Sequence, residues 1–373
     1  FPPSGQSAVS SHGSEAQLLR DYMAFAIAVY DEYPDRWEYV GGRFDAEYVP
    51  VRSAYMRSGL SPQGVGLYGP YRHNFDLWAA WLVKTATGEM PFSDDLARVL
   101  PSYLAAELPR DKDVFPDGDF YGQNLGLIEL RDAHANTSNG ELYSVCTALL
   151  HSALFGDGVS RAAAKYYSRD FTRFTYQNNF LTAGEYLVFS GGGTAAAENR
   201  HAGLPSVQYN GSPVGLMISR AAWDDPASPA VWMKIGERTT ANHEHQDAGS
   251  FQIYYKGMLT GDSGCYAGYG SPHHYYYHQA TVAHNSLLVF DPTLSEKNAG
   301  WYSGGQRQVS EAATPAVCED DAYTTGIVTG YAWATSETDS RPVYAYLAGD
   351  ITAAYDAASV AHAERRMLAL YTE

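Results

Sequence analysis

The period of the apolar residues changes near residue 205, and that change restricts the fold more than any single motif. Upstream, apolar residues recur at helical spacing. Leu18, Tyr22, Phe25, Ala26 and Val29 fall on one face, after the capping-box pair Ser14 and Gln17 and before Pro34, which predicts a helix over about residues 14–32. Residues 73–86 (HNFDLWAAWLVKTA) and 140–154 (GELYSVCTALLHSAL) repeat the pattern. Downstream come short runs rich in β-branched and aromatic residues, VGLMISRA, AVWMKIG, GSFQIYYKG, HNSLLVF, VYAYLAG and RRMLALYT, which read as strands. Between the two lies a Gly/Ala-rich stretch, FSGGGTAAAENRHAGLP, at 189–205. Helices first and antiparallel strands after predict a segregated α+β chain. Its helical domain is placed at 1–204 and its antiparallel β-sheet domain at 205–373. Several helices joined by long aromatic-rich loops fit a toroid or bundle.

Composition removes several classes of function. With 25 Lys+Arg against 42 Asp+Glu the net charge is −17, and no basic stripe of the kind phosphate contacts require is present, so nucleic acid is not expected as a partner. No apolar run reaches the ~20 residues of a membrane span; YMAFAIAVY at 22–30 is short and runs into charged residues. Three cysteines, Cys146, Cys265 and Cys318, make neither a CxxC nor an even set, and buried packing is their expected role. At 373 residues the chain exceeds the usual size of one core, so two domains or one large composite fold is expected. The sequence starts FPPSGQSAV and stops at RRMLALYTE, a strand without a following turn, which is the pattern expected of a segment from inside a longer protein.

The stretch ANHEHQDAGSFQIYYKGMLTGDSG at 241–264 carries the densest chemistry. Read as a strand, it turns His243 and His245 toward one space about 7 Å apart. Asp262 follows the YYKGMLTG hairpin, and His284 sits in TVAHNSLLVF, read as a neighbouring strand. Neutral imidazoles with one carboxylate form a zinc-type donor set. Spacing alone leaves open that the two histidines are surface or hydrogen-bonded residues.

HEHQDAGSFQIYYKGMLTGDSG followed by HQATVAHNSLLVF resembles the signature of the heparinase II/III-like polysaccharide lyases. SSHGSEAQLLRDYMAFAIAVYDE at 10–32 and SPQGVGLYGPYRHNFDLWAAWL at 61–82 resemble the toroid segments of that family. The likeness spans roughly residues 10–300 and departs from the family at both ends, where toroid helices and final strands look missing. It implies a partial (α/α) toroid followed by a layered antiparallel β-sheet sandwich. It also implies β-elimination at C4 of a uronic acid in an acidic polysaccharide, in a secreted or periplasmic bacterial protein with no organic cofactor. Alginate and heparin or heparan sulfate are the leading substrates; the acidic composition favours a carboxylate-only polymer such as alginate. Oligomeric state stays open.

Carried across by motif, His12 corresponds to the toroid histidine that acts as base or carboxylate partner, with Glu15 beside it. Tyr68 in GLYGPYR corresponds to the catalytic acid, with Tyr71 as its rival, and Arg72 is read as a carboxylate clamp because a guanidinium matches a carboxylate in two places. His243 corresponds to the histidine facing the cleft. His245, Asp262 and His284 correspond to ligands of a structural zinc or another divalent ion. Arg200 and His201 are candidates for substrate contact, against the alternative of exposed linker charge, while His273, His274 and His278 are read as a packed or binding surface. Of two other readings, a zinc-dependent hydrolase leaves His12 and Tyr68 without a role, and a non-catalytic carbohydrate-binding protein does not account for every catalytic residue type standing at its matching position.

Overall fold

The computed structural model describes residues 17–65, 68–108, 139–168, 201, 203–223, 225, 227–239, 243–263, 268, 270–289, 305–307 and 320–372. Helices come first: α1 (Met23–Ala28), α2 (Pro34–Arg43), α3 (Val49–Met56), α4 (Tyr68–Thr87), α5 (Val99–Ala105), α6 (Asn139–Phe155) and α7 (Gly158–Ser168). A π-helical turn, Gln17–Tyr22, leads into α1. The first predicted helix is therefore shorter than its pattern, and Pro34, which ends that pattern, stands in the first turn of α2, where its missing N–H costs no hydrogen bond. The other two predicted helices correspond to α4 and α6.

α4 is the central helix, lying along α6, with Phe75, Leu77, Trp78, Ala79 and Ala80 all buried. Apolar residues around its circumference are what a helix enclosed on all sides requires. Its start is pressed against a loop: a Cβ at Gly69 would stand 2.0 Å from the Gly64 carbonyl oxygen and 2.7 Å from the Tyr103 hydroxyl. Only glycine permits that approach.

The strands form two antiparallel sheets. One has the order β1 (Val207–Asn210), β2 (Leu216–Arg220), β3 (Ala230–Lys234), β4 (Phe251–Tyr254), β5 (Met258–Thr260); the other is β6 (Ile327–Thr335), β7 (Pro342–Asp350), β8 (Glu364–Leu370). Of the predicted strands, HNSLLVF forms none across its described residues, while β1 and β6 were not among those predicted and β5 entered only as the second arm of the YYKGMLTG hairpin. β6 escaped because it is an edge strand of alternating, half-exposed Tyr, Ala and Trp residues.

Alternation along the first sheet sorts its side chains between two cores. Leu216, Ile218, Ala230, Trp232 and Tyr254 pack with Met56, Leu60 and Tyr103 of the helical half. Met217, Met233 and Phe251 face the second sheet and meet Ala345, Leu347 and Met367. All five residues of β2 are buried in consequence, as expected of a strand covered on both faces.

Polar contacts close the seam between helices and sheet. Asn210 donates to Ser58 O at 2.7 Å and to Ser102 Oγ at 2.9 Å. Arg220 donates to the Ala105 carbonyl, and its guanidinium lies 3.7 Å over the Trp223 ring. Burial lowers the Arg220 pKa to about 9, with Glu107 opposing the shift. Because Trp232 is completely buried at this junction, Trp232→Ala is expected to cost about 3–5 kcal/mol. Denaturant unfolding of wild type and variant measures the difference.

Candidate metal centre and its surroundings

Three segments converge beside the β4–β5 hairpin. Residues 244–246 are held to the turn at 279, with Gln246 N donating to Gln279 O at 2.9 Å and Gln279 Nε2 to Glu244 O at 3.3 Å. Ser263 N donates to Ala283 O at 2.8 Å. Asn285 Nδ2 donates to Thr260 Oγ1 at 2.6 Å and to Phe251 O at 3.0 Å. These bonds bring together His245, Asp262 and His284, all buried, with one ligand atom from each within 4.8 Å of the others.

The chemistry of the cluster fits a cation. His284 Nδ1 lies 2.9 Å from Asp262 Oδ1, yet neither Asp262 oxygen nor either His284 ring nitrogen makes a well-directed hydrogen bond among the described residues. Burial works against a charged His284 ring, but the Asp262 carboxylate outweighs it and raises the His284 pKa above the ordinary value. Buried polar atoms without hydrogen bonds are costly. Two imidazoles and a carboxylate, buried and converging from three turns, make a donor set that an ion would satisfy.

The local structure differs from the strand reading. His243 occupies a turn with φ of 63°, a left-handed conformation uncommon outside Gly, Asn, Asp and His, and β4 begins only at Phe251. His243 and His245 therefore do not share a strand face. His284 follows the 3-10 turn Thr281–Ala283 rather than lying in a strand. What gathers the ligands is a set of turns held by the hydrogen bonds above.

Further histidines surround the cluster. The His245 ring lies 4.7 Å from that of His278 and 5.0 Å from that of His284; His243 lies 6.4 Å from His274. His274 and His278 are fully buried on one π-helical turn, His274–His278, while His273 is exposed. Six of the chain's 12 histidines thus occupy one region. His278 was placed on a packed surface by the sequence, and its contact with His245 brings it beside the metal cluster. The four-residue spacing of His274 and His278 was the available signal.

The helical candidates stand apart in what can be described. His12, Glu15 and Arg200 lie outside the described residues, as do Cys265 and Cys318. Tyr68 opens α4 and Tyr71 follows in its first turn, but their side chains, like that of Cys146, are not described. Arg72 is completely buried. Near it Arg52 Nε lies 3.3 Å from Asp76 Oδ1, with both side chains fully enclosed. Helical period puts residues 68, 72 and 76 on one side of α4. His201 is also buried: its Nε2 lies 2.7 Å from Glu107 Oε2, and its ring stacks on Trp223 at 4.4 Å. That geometry commits His201 to the seam between helices and sheet and rules out the exposed-linker alternative.

Burial raises the Asp76 carboxyl from 3.8 to about 6, against the pull of Arg52 and Arg72. A carboxyl whose pKa is higher folded than unfolded stabilises the fold most below the unfolded value and loses that contribution as pH rises through the folded one. Between pH 4 and 6 the wild type should therefore lose stability relative to Asp76→Asn, whose side chain does not titrate. Urea unfolding of both proteins across this window checks the sign.

Residues 227–367 match the family described as Heparinase II/III-like, C-terminal. Among solved structures the chain is similar to a heparinase III at 14% identity and a TM-score of 0.52, covering 95% of this chain and 44% of that one. A second heparinase III, with methylated lysines, gives 14% identity and a TM-score of 0.51, with coverage of 96% and 43%. The chain spans less than half the length of either, and at this identity the likeness is one of fold. No curated protein matches the sequence. The matched residues take in most of the second sheet, the β4–β5 hairpin and the His245–Asp262–His284 cluster, so the cluster lies inside the stretch that is similar to the heparinase II/III-like C-terminal family.

Proposed function

We propose that this chain belongs to a polysaccharide lyase acting on a uronic-acid polymer, alginate before heparin or heparan sulfate. The observation that carries this reading is the buried His245–Asp262–His284 cluster, with His243 two residues away in a left-handed turn, inside the region that matches the heparinase II/III-like family. The composition, with 42 Asp+Glu against 25 Lys+Arg, favours a carboxylate-only substrate over a sulfated one. The family resemblance also supports a secreted or periplasmic location. Among the described residues no helix is long and apolar enough to cross a membrane.

The chemistry needs three services. A base takes the C5 proton, the developing charge on the C6 carboxylate is neutralised, and an acid protonates the C4 oxygen as its bond to C4 breaks and a C4–C5 double bond forms. In this reading Tyr68 supplies the proton to the leaving oxygen, His12 takes the C5 proton or faces the carboxylate with Glu15 beside it, and His243 faces the reacting ring. Tyrosine suits the acid role because its hydroxyl both gives and accepts a proton next to a flat face on which a sugar can rest. Arg72 is buried, so its role moves from clamping a substrate carboxylate to supporting the start of α4 from within.

His245, Asp262 and His284 would hold zinc or another divalent ion. When bound, such an ion would join three turns and so fix the backbone that carries His243. The protein's own groups perform the proton transfers.

Incubation with alginate, heparan sulfate and other uronate polymers is expected to release products that absorb in the near ultraviolet, through the C=C–COO⁻ chromophore that elimination creates and hydrolysis does not. Products without that absorbance would favour the hydrolase, and no product would favour a binding protein. Tyr68→Phe should lower the rate by about 10²–10⁴-fold and Tyr71→Phe far less; the reverse order would transfer the role to Tyr71. His284→Ala should reduce both bound metal, measured by elemental analysis, and thermal stability. Freshly purified wild type devoid of any divalent ion would end the metal reading.

A further inference from the structure

A third histidine stands against the metal cluster. His278 ends the π-helical turn His274–His278 and is fully buried. Its ring centre lies 4.7 Å from that of His245, with the planes crossing at 77°, and the His284 ring lies 5.0 Å from His245 at 46°. Two imidazoles that share one tetrahedral ion, each at a metal–nitrogen distance of about 2.0–2.1 Å, have ring centres roughly 5 Å apart. Both separations meet that value. His243 and His274, the neighbouring pair, stand 6.4 Å apart and do not.

The backbone fixes His278 in this place. A π-helical turn is wider than an α-helical one and recurs at functional sites; here it carries His274 and His278, four positions apart, both on the buried side. Gln279 N closes the turn on His274 O at 2.9 Å. The same Gln279 accepts from Gln246 N through its carbonyl and donates to Glu244 O through its side chain. His278 and His245 are thus anchored to each other through their chain neighbours. From Gln279 the chain passes through the 3-10 turn Thr281–Ala283 to His284, so two of the imidazoles come from one run of turns, the third from the loop bonded to it, and Asp262 from the end of the hairpin.

We propose that His278 is a fourth protein ligand of the ion that His245, Asp262 and His284 would hold. The proposal rests on the metal reading above and extends it. Ligand atoms of those three residues lie within 4.8 Å of one another; His278 stands just outside that set, and its ring would close on the ion. Zinc sites with four protein ligands are structural, whereas sites with three keep a position open and do chemistry there. Three imidazoles and one carboxylate would fill the set. No position for water would remain, which separates a lyase with a structural metal from a zinc hydrolase on coordination alone. The His274–His278 turn would also be tied to the loop that carries His243. In the competing account His278 is a packed imidazole that touches His245 by ring contact only, and the site keeps an open position.

Cobalt(II) loaded into the metal-depleted full chain distinguishes the two, because azide enters an open coordination position and changes the visible spectrum of the ion. Wild type should bind cobalt and show a spectrum that azide leaves unchanged. His278→Phe keeps a flat buried ring without a donor atom; it should bind cobalt at least about 10–100-fold more weakly, the loss already caused by residues one layer outside a metal, and its spectrum should respond to azide. Imidazole added to His278→Gly should restore the wild-type spectrum, which a purely packing role would not allow. His274→Phe alters the same turn and should leave cobalt affinity and spectrum as in wild type. An azide-sensitive wild-type spectrum, or wild-type affinity in His278→Phe, overturns the proposal and leaves the three-residue metal site in place. Equal losses in His278→Phe and His274→Phe also overturn it and assign the turn to packing. A wild type that binds neither cobalt nor zinc removes this proposal together with the metal reading.

Discussion

Burial of the first sheet on both faces is the constraint on which the rest of this structure depends. A sheet covered on one side can alternate apolar with polar residues, but one enclosed by helices and by a second sheet must present packed side chains both ways. β2 meets that demand with LMISR, every residue of it buried. Its even-numbered apolar residues join the helical core and Met217 joins the inter-sheet core. Two polar residues within it find partners at its margins: Ser219 pairs with the Tyr371 hydroxyl at 2.5 Å, and one Arg220 nitrogen donates to the Ala105 carbonyl. The helices and the sheets are joined by continuous apolar packing, so a change on one side is felt on the other.

The sheet also distributes chemistry. Its β4–β5 end carries Asp262 into the histidine cluster, one face packs with the helical core, and the other packs against the second sheet. Buried charge recurs across this layout. Arg52, Arg72 and Asp76 sit inside the helical half and Arg220 at the seam. Isolated buried charges are expensive, and pairing seldom returns more than the cost of desolvation. Their concentration around the start of α4 and along the seam therefore speaks for positioning more than for stability.

Much of this was legible in the chain itself, and the parts that were not share a cause. α4 and α6 stood out because helical period depends on residues three and four apart, which the sequence states directly. The β4–β5 hairpin was equally plain, since Lys256 and Gly257 supply the turn between short strands. The donor set His245, Asp262 and His284 came from motif resemblance, with a hairpin turn expected to bring in Asp262 and a neighbouring strand His284; the hairpin is present, but His243 and His245 share no strand face and His284 lies after a 3-10 turn, the segments being held together by bonds to Gln279, Ala283 and Asn285. HNSLLVF has the composition of a strand, but its described part follows a 3-10 turn, and its Asn285 is spent on bonds to the hairpin. His278 was read only as part of a packed or binding surface, and Asp76 was passed over, because nothing local distinguishes a buried polar residue from an exposed one on a helical turn.

The sequence by itself determined the order of helices before strands, the two apolar periods, the zinc-type residue set and the excess of acid over base. Each is a property of residue type or of spacing within about ten positions. Only the tertiary structure decided which face of each strand met helices and which met the second sheet, that His201 is bound to Glu107 and Trp223 across the seam, and that Arg72 is enclosed. The physical reason is that solvation and charge pairing are set by neighbours far apart along the chain. Glu107 and His201 are separated by 94 positions, and Asn210 and Ser58 by 152. No local pattern encodes such contacts until packing of the sheet against its two partners brings them together.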